Sequence, residues 1–265
     1  MMRPSALSPP LILPPALSMV DTAQRRALAA HFGTLAAVPS FETPDVHVLF
    51  LCFTNRCGSD FLSQAMASTG LLPGCEEPFN PATVIARSRA RGLTSIQAYV
   101  TDTIATLARN TWFCSKISIE QLVMLCETGI LRSLWPRSHF ILLERNDKLG
   151  QAISRAIAWQ TERWTSHQTA RKSAEDIVYD RDRITDGIAR VTWETNAFRA
   201  FFVANQRVPI HRSYEALRAD LGGTVSGIFD SLGIAGAQAD PSRITLAPVS
   251  GPINAEWRRR YLAGA

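Results

Sequence analysis

Apolar positions along this chain fall into two alternating patterns: short, nearly unbroken runs, and longer segments that repeat every three or four residues. Val46 to Phe53 is such a run, long enough for a strand buried on both faces. A polar loop, Thr54-Asn55-Arg56-Cys57-Gly58-Ser59, follows it. Phe61, Leu62, Ala65, Met66 and Thr69 then repeat at helical spacing as far as a stop at Gly70. The alternation recurs downstream. Trp112–Ile117 and His139–Leu143 read as strands, and Ile96–Leu107 and Glu120–Cys126 as helices. Leu149, Ala152, Ile153, Ala156, Ile157 and Gln160 share one helical face, with Asn146 or Asp147 suited to cap it. A long helical pattern runs through Ile177, Ile184, Ile188, Val191, Thr195, Phe198 and Phe202. Val208 to His211 reads as a last short strand, with helical material following to Leu232. Ile253, Trp257 and Tyr261 lie four apart and predict a docking helix ending at Leu262. Ahead of the first strand, Asp21–Gly33 predicts a short helix capped by Asp21 or Thr22.

Strands alternating with helices imply a parallel sheet with right-handed crossovers. The expected fold is α/β: a single domain with a central parallel sheet flanked by helices, in the P-loop nucleotide-transferase style. Residues 1–44 are expected to form an N-terminal arm and short helix, partly extended, and residues 45–265 the α/β domain. The first strand, its tight loop and the helix start point backbone N–H groups at an anion, with the helix dipole adding partial positive charge. GxxxxGK[ST] is absent, so this is not a Walker loop. An arginine, Arg56, sits inside the turn instead. The loop therefore reads as a phosphate cradle for a nucleotide donor other than ATP.

Composition narrows the partners. The 265 residues are 46% hydrophobic and 19% charged, which suits one sizeable globular domain. A net charge of +5 and a pI near 9.2 favour an anionic partner. The sequence carries no nucleic-acid motif, no zinc spacing and no long basic amphipathic run, which argues against nucleic acid and against a metal. Five cysteines, an odd count, read as reduced, buried thiols of a cytoplasmic protein. No apolar stretch reaches transmembrane length, and the proline-broken start is a poor signal peptide.

Three pieces in order resemble one family. FTNRCGSDFL is similar to the 5′-phosphosulfate loop of the bacterial sulfotransferases, TGLLPGCEEPFNP to their acidic loop, and ERNDKLGQAISRAIAWQT to their 3′-phosphate element, R-x-D-x-x-x-Q-A-x-S. The resemblance covers roughly residues 46–205. It implies a P-loop nucleotide-hydrolase-like sulfotransferase fold. The implied donor is 3′-phosphoadenosine-5′-phosphosulfate (PAPS), and the implied acceptor a hydroxyl of a carbohydrate or glycolipid, in a possible homodimer. Sulfuryl transfer, like phosphoryl transfer, needs in-line positioning and charge stabilisation, which a loop arginine and backbone donors supply without a metal.

On that resemblance Arg56 bridges the 5′-phosphate and the sulfonate, while Thr54, Asn55, Cys57, Gly58, Ser59 and Asp60 complete the cradle. Arg145 and Ser154 hold the 3′-phosphate, Glu77 takes the acceptor proton, and Lys116 is a further catalytic candidate. Bland roles stand beside these: Ser59 as a helix cap, Arg145 paired with Asp147, and Glu77 a solvated neighbour of Glu76. His139 reads as a core residue, Trp159 and Trp164 as packing with an acceptor groove as the alternative, and Arg258-Arg259-Arg260 as a solvated helix face with a phosphate-facing arginine as the alternative. Cys57 stands where the family has serine, and Asp60 where it has threonine. The Asp60 side chain is expected to turn outward, away from the donor. Two other readings remain: a nucleotide-binding protein of this fold without transfer activity, and a P-loop kinase-like phosphotransferase.

Overall fold

The computed structural model describes residues 11–18, 23–33, 35, 37, 41–42, 44–173, 175–246 and 251–264. The expected caps Asp21 and Thr22 lie outside them. In chain order the elements are α1 (Pro15–Ser18), α2 (Ala23–Phe32), β1 (His47–Phe53), α3 (Ser59–Ser68), α4 (Pro81–Arg91), α5 (Ile96–Leu107), β2 (Trp112–Ile117), α6 (Ile119–Glu127) and α7 (Ile130–Leu134). They continue as β3 (Ser138–Glu144), α8 (Lys148–Thr161), α9 (Arg181–Ala204), β4 (Ile210–Ser213), α10 (Tyr214–Ala219), α11 (Leu221–Ser231) and α12 (Pro252–Leu262).

The sheet runs β2-β1-β3-β4, with β1 and β2 parallel from His47 opposite Trp112 to Cys52 opposite Ile117. This is the expected α/β architecture, a central parallel sheet flanked by helices. Six of the seven β1 residues are buried, as a two-face-covered strand requires. Strand order reverses about β1, and ligands of such sheets bind at the carboxyl ends of the strands beside the reversal.

Backbone packing resolves two compact units, each assembled from three separated stretches. The first comprises 1–52, 75–141 and 198–209; the second comprises 53–74, 142–197 and 210–265. In the first, Phe50 stacks on Phe140 at 5.5 Å, and Phe79 meets Phe113 edge-on at 6.3 Å. His139 is only half-buried there, with its Nε2 3.4 Å from His47 Nδ1 and its ring 5.1 Å from Trp112. Burial lowers its pKa, and His47 and Arg207 add to the effect. In the second unit α8 and α12 bury a core of Ala152, Ile153, Ala156, Ile177, Ile184 and Trp257. Ile253 and Tyr261 pack against it, as the four-residue spacing predicts.

Some expectations shift. β4 begins two residues later than the pattern suggests, because Val208 is 91% exposed and Pro209 has no N–H for a ladder. Ile177 joins the core from the segment before α9 rather than from a helix. The arm contains one helical turn, α1, whose first residue is a proline with φ already set for a helix. α4 was not anticipated, since it buries only Val84 and Ser88; its signals are the Asn80 cap, Pro81 and the left-handed Gly92. Among the described residues no helix is long and apolar enough to cross a membrane.

Candidate functional site

Backbone conformation makes the cradle. After β1 the chain turns through Arg56 at φ 68° and Gly58 at φ 93°, both left-handed. A non-glycine residue there is uncommon and is held by its surroundings. Gln151 of α8 does part of the holding. Its Nε2 donates to Thr54 Oγ1 at 2.7 Å and to the Asn55 carbonyl at 2.9 Å. Gly58, not Ser59, is the residue that caps α3, and among the described residues no side chain caps that helix. The first turn of a helix in that state carries unsatisfied N–H groups and partial positive charge, which favour an anion. A Cβ on Gly58 would lie 2.4 Å from Tyr214 Cδ2, so ring and loop approach as closely as glycine permits.

Two arginines converge on this loop. Arg56 donates from Nε to Ser154 Oγ at 3.0 Å and from Nη1 to the Trp164 carbonyl. Burial lowers its pKa, Asp60 opposes that, and Arg145 adds to it. Arg145 lies over the Tyr214 ring at 5.2 Å, with its Nη1 3.5 Å from the Arg56 carbonyl and its Nη2 3.5 Å from Asp147. Its Nε is buried with no hydrogen-bond partner among the described residues. Arg56, Gly58, Ser59, Asp60, Arg145 and Ser154 line one open cavity of about 140 Å³, together with Phe61, Trp164, Tyr214 and Arg218. Cys57 is fully buried beneath the loop. Asp60 is among the residues that line the cavity, and its charge opposes the effect of burial on Arg56.

The start of α8 is fixed by acids. Glu215 of α10 accepts from the N–H groups of Asn146 and Asp147 at 3.0–3.2 Å. Asp147 caps the helix through Gly150 N–H at 2.9 Å and pairs with Arg258. Burial alone would raise the Asp147 pKa, but the Arg258 and Gly150 bonds outweigh it and the net shift is downward. A depressed carboxyl stabilises the fold above its unfolded value near 4, and that stability is lost as pH falls through the folded value. Replacing Asp147 with Ala is expected to cost about 1 kcal/mol near neutrality. The gap in melting temperature from the native chain should close as the pH is lowered past about 4. A gap independent of pH would show that the cap acts without its charge.

In the first unit the acidic loop lies along β2. Lys116 N–H donates to the Glu76 carbonyl at 2.7 Å, and Glu76 bridges Ser115 in parallel register. That register brings Glu77 to Lys116, with Nζ 2.9 Å from Oε1. Phe79, fully buried, and Tyr99 OH bonded to the Pro78 carbonyl at 2.5 Å anchor the loop. The structure thus joins the two catalytic candidates of this unit, and it is Glu77, not Glu76, that meets the lysine.

Sequence reasoning missed Tyr214 and Arg218 of α10 and Phe61, Thr165 and Ser166 in the cavity lining, and Glu215 of α10 at the start of α8; Trp164, read as packing, also lines the cavity. Of 258–260, expected as a solvated face, Arg259 and Arg260 are exposed, Arg260 lying over Tyr179 at 4.1 Å, whereas Arg258 binds Asp147. Trp159 is 56% exposed and packs edge-on against Trp164 at 5.7 Å.

Comparison with known proteins identifies relatives and a family. The chain is 28% identical over 130 residues to trehalose 2-sulfotransferase of Mycobacterium tuberculosis (strain ATCC 35801 / TMC 107 / Erdman). That alignment covers 48% of this chain and 46% of the relative, so the chain matches about half the length of that protein. The model of the Stf0 sulphotransferase family matches residues 48–264, which takes in the cradle, the acidic loop, the β3–α8 element and α12. The chain belongs to the Stf0 sulphotransferase family.

Proposed function

We propose that this chain transfers a sulfuryl group from PAPS to a hydroxyl of a carbohydrate or glycolipid acceptor. The observation that carries the reading is the convergence of Arg56, Arg145 and Ser154 on a cavity at the N-terminus of α3, which no side chain among the described residues caps. The buried Arg145 Nε, without a partner among the described residues, suits a phosphate oxygen. Phe61 and Tyr214 offer aromatic surface and Arg218 a further cation, which suit a phosphorylated nucleoside.

The donor supplies an activated sulfuryl group. Arg56 and the backbone N–H groups at Gly58 and Ser59 would hold its 5′-phosphate and sulfonate. Arg145 and Ser154 would hold the 3′-phosphate, Ser154 exchanging its bond with Arg56 for one to the ligand. As the acceptor oxygen bonds to sulfur and the bond from sulfur to the phosphate oxygen breaks, Glu77 receives the acceptor proton. Lys116 positions that carboxylate through their ion pair. Developing charge on the leaving phosphate is met by Arg56 and the α3 dipole.

Binding should therefore distinguish the 3′-phosphate. The desulfated donor, 3′-phosphoadenosine-5′-phosphate (PAP), is expected to bind more than about tenfold tighter than ADP, as a charged hydrogen-bonded pair worth roughly 1.5–3 kcal/mol requires. Thermal-shift titration with PAP, ADP and ATP checks it. Equal affinity for PAP and ADP would remove the 3′-phosphate assignment.

A further inference from the structure

We propose that a second cavity beside Arg56 receives the acceptor, and that the acceptor is an amphiphile, a hydroxylated head carrying an alkyl or acyl chain. This rests on the donor reading above and specifies which of its two acceptor classes the protein uses. The cavity measures about 600 Å³ and shares Arg56 and Ser154 with the donor cavity. A ligand filling it therefore reaches the residue assigned to the sulfonate. Its volume falls within the roughly 300–1,000 Å³ of small-molecule sites.

The remaining walls have a different chemistry. Ile157 and Ala158 of α8, Ile253 of α12 and Ile177 supply apolar surface. Ile157, Ile177 and Ile253 also pack with the core of this unit, so the surface is fixed in place. A free sugar presents hydroxyls in every direction, and burying them against isoleucine leaves them unpaired. An alkyl chain loses nothing there and gains by leaving water. Polar groups at the same cavity serve the head: Lys172, Glu175, Asn254, Glu256 and Arg259 line it, as does Arg163, whose Nε is buried with no partner among the described residues.

The test uses octyl β-D-glucoside, below its critical micelle concentration, against glucose, each titrated calorimetrically into the full chain. Octyl glucoside is expected to bind at least about thirtyfold tighter, the effect of burying several methylenes. Ile157→Asn is expected to lower that affinity at least tenfold while PAP affinity stays unchanged. Ile253→Asn repeats the measurement from the other wall, so a folding failure in one variant leaves the test standing. Equal binding of octyl glucoside and glucose would overturn the proposal. So would chain-dependent binding that neither substitution weakens, since the amphiphile would then lie elsewhere. If PAP fails to bind while octyl glucoside binds through Ile157, the donor reading falls and the apolar cavity stands.

Discussion

Replacing Glu77 with Gln is expected to cut turnover by roughly 10²-fold or more, the usual size of a general-base contribution, while leaving PAP affinity near that of the native chain. The reasons are local. Gln keeps the shape of Glu and can still accept a hydrogen bond from Lys116, whose Nζ is 2.9 Å from the carboxylate. The loop is held independently of the side chain, by the Lys116 N–H to Glu76 bond of 2.7 Å and by the buried Phe79 ring. Only the capacity to take a proton is lost. Single-turnover sulfation and PAP titration on the same samples separate the two effects. Glu76→Gln is the control, since that residue is exposed and contributes its backbone carbonyl. If Glu76→Gln shows the loss and Glu77→Gln does not, the base is the neighbouring residue. If both variants turn over normally, the acidic loop supplies no base.

What the sequence revealed and what it hid divide along physical lines. Contiguous features were legible. The buried run, polar loop and helical repeat of 46–70 became β1, the cradle and α3, because burial and periodicity act within a few residues of each other. α5 begins and ends where its spacing placed it, with Ser95 accepting from Ala98 N–H as its cap. Arg145, Gln151 and Ser154 were readable as one motif because a single strand end and helix carry them. Tyr214 and Arg218 were not, because they reach the cavity from a short helix about 150 residues downstream, as the numbering shows, with no periodic signal for a cavity wall. The positive φ of Arg56 was equally invisible, since residue type disfavours it and only the fold imposes it. The ion pair between Lys116 and Glu77 depends on strand register, which neither segment encodes alone.

Asp60→Asn is expected to tighten PAP binding by about ten- to a hundredfold. The sequence reading turned this carboxylate outward from the donor; Asp60 stands in the first turn of α3 and is also among the residues lining the cavity with Arg56, and the expected gain follows if its charge faces the donor. There it acts in two opposing ways. Its charge favours the Arg56 guanidinium, opposing the effect of burial. It also sets a negative charge next to the most anionic part of the donor. A like charge at ~5 Å costs roughly 3 kcal/mol at an effective dielectric of about 20, which is the upper end of the expected gain. Neutralising Asp60 also frees Arg56 to pair with the ligand alone, since an arginine stays protonated without help. The helix loses a favourable first-turn charge, worth about 0.3–1 kcal/mol, so the variant should melt slightly below the native chain without ligand and above it with saturating PAP. Calorimetric titration of PAP into both proteins measures the gain directly. A change of less than about threefold would mean that Arg56 already neutralises the carboxylate, the two charges behaving as a closed pair that the phosphate does not feel.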